Sequence, residues 1–561
     1  MRLFRILALT AVLAFAGTAC ADLEVTNLND PDIERAITTP QDVETLISGS
    51  FYSWWRVGHR GYPGAAMSVA ANAHSSSWGN WGMRDSSEEP RIAFNNDPTY
   101  SYNNQVEDPW TLSYRALAGV RDGIRAVAGA DGDLGTSDDL KIKDAGGADV
   151  TSRALAFGRL VQALSLANLA LIFDQAFVVD ETTDLEQISL VPYGEMWNGA
   201  LAKFQAAIDQ AQSGSSFTIP ASWVGGKADW TRDDFIGFAK AFRARYRTQI
   251  PRTPAENQAV DWNAVLTDLG GGLPFDFGGV YEGSTGWWDR QKLHTAGIPG
   301  WARIDYRTVG PADASGNWET WINAAPDDKE PFNIDTDDTR VTGGAYDADG
   351  SLFDFIGNSP FPRDRGIWHY SHYIDTRWNY LWKGGYLGEY VDFTDKTVDF
   401  LRGEAWYRTG QEDKTMEIVN KYRVNGNLPE FTSTSQVAPG GDRCVPQMPD
   451  GSCGDLFEAF KYEKRIELFH YGFAEEFTDD RGWGDLVDRT WVHLPVPGSE
   501  LLLLLMDIYT FGGDAGTGAG VASRGIDFLN DFSPEAIHQK RVALEKWDRM
   551  TEQPIEPGIT H

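Results

Sequence analysis

The sequence predicts a mainly α-helical protein made of helix pairs that carry a loop-rich irregular subdomain. Three observations lead there. Residues 153–212 read as two helices with facing apolar surfaces; similar stripes recur before and after them; and from Gly270 to Gly388 the helical period disappears. In the first helix of the central pair, Ala154 to Phe173 is apolar on almost every face, relieved only by Arg159, Gln162, Ser165 and Asn168. A helix apolar nearly all round belongs inside a large core. The polar stripe and the closing Asp174 argue against a membrane span. Thr151 or Ser152 is expected to cap its start. The partner begins at Pro192, a residue suited to a first helical turn. Its Tyr193, Met196, Trp197, Ala200, Leu201, Phe204, Ala207, Ile208 and Ala211 form one stripe.

Residues 1–19 read as a signal peptide, with Arg2 and Arg5 ahead of the apolar run Ile6 to Ala16. Gly17-Thr18-Ala19-Cys20 resembles the lipobox of bacterial lipoproteins, which predicts lipidation at Cys20, although Gly17 stands where Leu, Val or Ile is usual. Ordinary secretion after Ala14-Phe15-Ala16 is the alternative. Residues 20–270 form the expected N-terminal helical region, with helices at Asp42 to Tyr52, Trp110 to Val127, Thr231 to Tyr246 and Asp261 to Leu269. Residues 271–390 form the expected loop-rich, ligand-binding subdomain, since structureless stretches of this length are uncommon unless functional. Residues 391–561 return to helix, at Asp392 to Thr409 and Asp413 to Tyr422.

Composition narrows the function. A formal charge of −32 argues against nucleic acid or an anionic membrane surface as a direct partner. Two cysteines follow Cys20. Cys444 and Cys453 bracket a turn-rich octapeptide, and in an exported chain they predict a disulfide pinning that loop. Without nearby histidines they make a poor zinc site. Asp131 to Asp139 and Asp347 to Gly350 lack the spacing of a calcium loop and read as solvated turns. There are 21 tryptophans, a residue whose face stacks on sugar rings as readily as it fills a core. Two loop segments combine aromatic rings with polar partners and lack a core period. One holds Trp78, Asn80, Trp81 and Arg84; the other holds Trp287, Trp288 and Arg290, with Trp301 and Tyr306 nearby. These nine residues are the candidate ligand site. The competing expectation is that such rings plug the loops onto the scaffold, with Trp287 and Trp288 both buried.

The stretch from Asp455 to Glu500 carries a recognisable order of motifs. It runs Tyr462-Glu463-Lys464-Arg465-Ile466-Glu467-Leu468, then Arg481-Gly482-Trp483-Gly484-Asp485-Leu486, then Leu494-Pro495-Val496-Pro497-Gly498-Ser499-Glu500-Leu501. This resembles the C-terminal signature of the SusD/RagB family. Lys464-Arg465 stands where that family often has two arginines, and the stretch between Gly472 and Arg481 is longer than usual. Arg402 to Tyr407, with Asn420 to Arg423, is similar to the family's fourth helical repeat. Cys20 and Asn27-Leu28-Asn29-Asp30-Pro31 resemble its N-terminus. The resemblance implies tetratricopeptide-like helix pairs, in a SusD-like α-α superhelix. It also implies a lipid-anchored protein facing the exterior at the outer membrane, working as a lid on a SusC-like TonB-dependent transporter. Its ligand would be a glycan, or in some members a peptide, bound without chemical turnover and without a cofactor. The resemblance further implies a structural role for Arg481 and Asp485, expected as a buried ion pair.

Catalytic motifs for acyl transfer, zinc proteolysis or phosphate binding are missing from the sequence. A glycoside hydrolase is the alternative from another class, and it needs two carboxylates at a set separation. Glu475-Glu476 and Asp479-Asp480 are expected in a solvated loop. His294, His369, His372 and His470 are scattered, with His369 and His372 spaced to share a helix face.

Overall fold

In the computed structural model, the residues described are 39–59, 63–75, 80–295, 302–357 and 371–519. The expected signal peptide, Cys20, Asn27 to Pro31, Trp78, Trp301 and His369 lie outside them.

Helices appear where the apolar stripes lie; Pro40–His59 and Asn104–Ala128 run well beyond the bounds the sequence suggests, and the other expected helices end within three residues of theirs. They are α1 (Pro40–His59), α2 (Pro63–Ala70), α3 (Asn104–Ala128), α4 (Thr151–Ile172), α5 (Tyr193–Ser213), α6 (Arg232–Gln249), α7 (Trp262–Asp268), α8 (Asp395–Arg408), α9 (Glu412–Arg423), α10 (Leu456–Glu467) and α11 (Glu475–Trp483). The pairs α1/α3, α4/α5, α6/α7 and α8/α9 pack in succession, each touching the next, and α9 hands on to α10. Helix α4 packs against α1, α3, α5 and α6, so every face meets a neighbour. Although long and apolar enough to cross a membrane, 94% of its apolar window is buried inside the protein. Its polar stripe is used up locally: Asn168 Oδ1 accepts the Tyr246 hydroxyl at 2.6 Å and Gln162 donates to Glu181 at 2.7 Å. Helix α1 comes close to α3 because Gly123 has no side chain; a Cβ there would lie 2.4 Å from Ile47.

The expected cap on α4 is a correction. Val150 is the N-cap and offers no side-chain bond. Thr151 Oγ1 accepts instead from the Ile142 N–H, and Ser152 Oγ donates to the Gln210 carbonyl, so both hydroxyls tie the helix to neighbours. Helix α6 has a full capping box, in which Thr231 and Asp234 satisfy each other's backbone N–H groups.

Between α7 and α8 the chain makes short helices and two-stranded ladders. Strand Phe277–Tyr281 pairs antiparallel with Gly388–Phe393, so the two ends of this region are stitched together. Its tryptophans are mostly structural. Trp318 and Trp321 join Tyr306, Ile334, Val341, Phe353 and Tyr373 in a second core laid against Tyr462, Ile466 and Phe469. The disulfide Cys444–Cys453 closes its loop, with Cα atoms 5.8 Å apart.

Two expectations for the C-terminal signature are overturned. Glu475, Glu476 and Asp480 are not solvated; they are buried on α11. Arg481 and Asp485 do not pair. Arg481 donates to the carbonyls of Val492, Gln249 and Leu171, and Arg252 donates to Leu171 beside it. Two guanidiniums thus satisfy carbonyls left over where α4 and α6 end, a favourable place for cations. Asp485 faces α10, where Lys461 and Arg465 reach it at 2.9 and 2.5 Å.

Candidate functional site

The two candidate loop segments meet. The guanidinium of Arg290 lies 5.2 Å from the ring centre of Trp81 and 5.5 Å from that of Trp288. Both indoles are half-buried. Trp81 is held by Ala65 and Val69 on α2 and by Met83, and its backbone adopts a φ of 55°, which turns the chain into the short helix Met83–Ser87. Behind the group lies Asp108, whose carboxyl burial pushes up to about 6 against the pull of Arg290 and Arg56. Arg84 points outward from the short helix, 3.7 Å from Glu88. Asn80 begins the turn ahead of it. Half-buried indole faces around a fixed cation offer stacking together with directed N–H donors, which suits a hydroxylated ring.

Trp287 and Tyr306 are not part of this group, and both are corrections. Trp287 is only 7% exposed; its ring packs on Phe51, Tyr52 and Trp55 and covers Gly225, where a Cβ would clash. Tyr306 is fully buried, stacked on Phe332 with its hydroxyl donating to the Phe332 carbonyl. Neither presents a free ring face, because each fills the core that anchors its loop.

Sequence reading missed an exposed aromatic edge. Tyr380 and Trp382 are 46% and 43% exposed, and the Trp382 ring centre is 5.6 Å from that of Tyr386. The clue was Tyr380-Leu381-Trp382-Lys383-Gly384-Gly385-Tyr386, aromatic and turn-forming at once.

A second concavity, of about 260 Å³, opens between α10, α11 and the loops around Thr308 and Pro446. Its wall mixes apolar Trp318, Ile322, Met448 and Phe469 with Glu458, Lys461, Arg465, Glu476, Asp480 and Asp485. Most of these charges are matched. Lys461 bonds Glu458 at 2.7 Å and Asp485 at 2.9 Å; Arg465 bonds Asp480 at 2.7 Å. Burial raises the carboxyl of Asp480 while Arg465 pulls it down, and Asp485 stays low beside Arg465 and Lys461. Glu476 differs. Its Oε1 accepts the His470 N–H at 2.7 Å, its Oε2 has no hydrogen-bond partner, and burial pushes its carboxyl up to about 7.

Glu475 lies between Lys464 at 3.5 Å and Arg245 at 3.7 Å, and Asp479 is bound to Lys464, so these carboxylates serve α11 rather than a substrate. Ser68 Oγ lies 2.9 Å from His74 Nδ1 and 3.3 Å from His470 Nε2, but all three are buried and none lines the concavity. His372 precedes strand Tyr373–Asp375, not on a helix, and rests 3.0 Å from Asn333. Among the described residues no group of three or more His, Cys, Asp or Glu could hold a metal ion. The acidic loop after α3 is folded by its own carboxylates: Asp138 accepts from the Ala130 and Asp131 N–H groups, and Asp139 from Gly135.

Compared with known proteins, the chain matches no family model, and no curated protein matches it in sequence. Among solved structures it is similar to a SusD superfamily protein from Bacteroides vulgatus, with 14% identity, 83% of this chain and 97% of that one covered, and a TM-score of 0.47. Another SusD superfamily protein, from Bacteroides thetaiotaomicron, has 12% identity, coverage of 83% and 96%, and a TM-score of 0.49. Surface glycan-binding protein A from Bacteroides uniformis has 11% identity, coverage of 81% and 91%, and a TM-score of 0.48.

Proposed function

We propose that this chain is a SusD/RagB-type lipoprotein that binds glycans at the cell surface and delivers them to a SusC-like TonB-dependent transporter. One observation carries the binding reading: Trp81 and Trp288, from segments far apart in sequence, bracket the Arg290 guanidinium with both rings half-buried. A ring of hydroxyls and C–H groups is the ligand such a group accommodates best. The ordered motifs from Glu463 to Leu501 support the family, and the lipobox-like Gly17-Thr18-Ala19-Cys20 supports a lipid anchor at the outer membrane. Trp81, Arg84, Trp288 and Arg290 are the contacts we assign, with Asn80 and Trp78 close to them in the chain and Trp301 further along the second segment. Binding without turnover is supported by the ion pairs that engage Glu475, Asp479 and Asp480 of α11.

A polysaccharide panel titrated into the purified protein tests the reading. Heat of binding without released reducing ends is expected. Release of reducing ends would establish a hydrolase, and heat from oligopeptides alone would establish a peptide-capturing lid instead.

A further inference from the structure

We infer that His59 is the positioning residue of the Trp81, Trp288 and Arg290 group: its imidazole fixes Asp289, and Asp289 aims the residues on either side of it. The inference rests on the assignment of Trp288 and Arg290 as ligand contacts. Both of these are half-buried, whereas Asp289 between them is 3% exposed. One anchored residue between two partly exposed ones fixes the backbone from which both project. Side chains that touch a ligand are aimed by the partners held behind them.

Asp289 is held from two directions. Its Oδ1 accepts the Lys292 N–H at 2.9 Å, which starts the short helix Arg290–Thr295. Its Oδ2 accepts from the Lys292 ammonium at 2.9 Å and from His59 Nδ1 at 2.7 Å. Burial would raise this carboxyl, but Lys292 and His59 hold it well below the usual carboxylate range. An ionised carboxylate only accepts, so His59 Nδ1 carries the hydrogen. Lys292 also donates to the Tyr471 carbonyl at 3.0 Å, which ties the segment to the chain beyond α10. His59 supplies the other tie, to the helical scaffold. It ends α1, stacks on Trp55 with ring centres 3.6 Å apart and is buried. Its Nε2 lies 3.3 Å from Asp392 Oδ1, and Arg245 of α6 holds Asp392 at 2.7 Å. Helix α2 begins at Pro63, just after His59, and carries the Ala65 and Val69 that support Trp81. The imidazole therefore sets where the Trp288 and Arg290 segment stands relative to the Trp81 ring. Without its bond the segment keeps Lys292 as a pivot and loses its orientation.

Two variants of the whole protein test this. His59→Leu removes the N–H at similar size, and Asp289 keeps Lys292, so the variant is expected to fold. His59→Asn returns an amide N–H near the Nδ1 position. The first readout needs no ligand: the indole N–H resonance of Trp288 and the Nε–H resonance of Arg290, identified by their loss in Trp288→Phe and Arg290→Lys. Both should move in His59→Leu and return in His59→Asn. Affinity for a glycan that the natural protein binds should fall about ten-fold in His59→Leu, as small misplacements of contacts do, and recover in His59→Asn. Resonances unchanged in His59→Leu overturn the proposal. So does an equal displacement in both variants, which would reduce His59 to its packing on Trp55. A natural protein that binds no glycan overturns the reading of the site instead, and the ligand-free resonances still decide the role of His59.

Discussion

The ring of Trp287 lies against Phe51, Tyr52 and Trp55 in the core, whereas that of Trp288, one residue on, shares the Arg290 guanidinium with Trp81 at the surface. The acidic helix repeats the contrast. Glu475 is enclosed by Lys464 and Arg245, while Glu476, beside the concavity, has no ion pair and leaves its buried Oε2 without a hydrogen-bond partner. In both regions adjacent residues of the same type are held differently, one tied into the scaffold by its neighbours and the other left with a looser set of partners. Aromatic or acidic density therefore marks where a site can be, and the direction of each side chain decides which residue serves it.

The sharpest way to break the first half of this comparison is to truncate both tryptophans. Trp287→Ala removes a ring packed on four neighbours and should cost about 3–5 kcal/mol, as large-to-small changes in cores do. Its melting temperature should fall clearly while the folded fraction still binds glycan. A stable Trp287→Ala that has lost binding would reverse the assignment.

The second half is tested by pH. The Glu476 carboxyl stands near 7 in the fold, against 4.5 as the ordinary value, because burial disfavours its charge. Between those values the folded protein holds a proton that the unfolded chain has released, so stability falls as pH rises through that window. At about 1.4 kcal/mol per pH unit, Glu476 contributes a loss of at most about 3 kcal/mol, complete above neutrality. Burial moves Asp174 and Glu500 the same way, each to about 7. Between pH 5 and pH 8 the melting temperature of the natural protein should lose ground to that of Glu476→Gln as pH rises, since the variant lacks this carboxyl. A profile identical in the variant contradicts the buried carboxylate; buried His470 and His493, kept neutral by burial, push stability up with pH in both proteins and cancel in the comparison.

The smallest effect sharpens the contrast. Trp288→Ala should change stability far less than Trp287→Ala and weaken glycan binding by about 1 kcal/mol, roughly five- to ten-fold. Trp81→Ala should behave alike. Titration of both variants against one glycan checks this, and full affinity in both moves the site to the exposed Tyr380–Trp382 edge.

The sequence alone determined the helices, because three- and four-residue periodicity is a local property that packing only has to accept. Helix α4 was marked for the core by being apolar all round, and the Cys444–Cys453 bridge by isolation and spacing. The loop-rich stretch was also legible, as a loss of period. It did not determine the caps of α4, whose hydroxyls found better partners on Ile142 and Gln210. Nor could it show that Arg481 leaves Asp485 for helix-end carbonyls, since those carbonyls come from residues more than two hundred positions away or across a turn. Of the candidate site, sequence found the two segments but not which rings face outward. In a segment without a period no rule links position to direction. Trp81, Trp288 and Arg290 become neighbours, and Trp287 and Tyr306 become core, only when tertiary packing brings α1, α2 and the loops together.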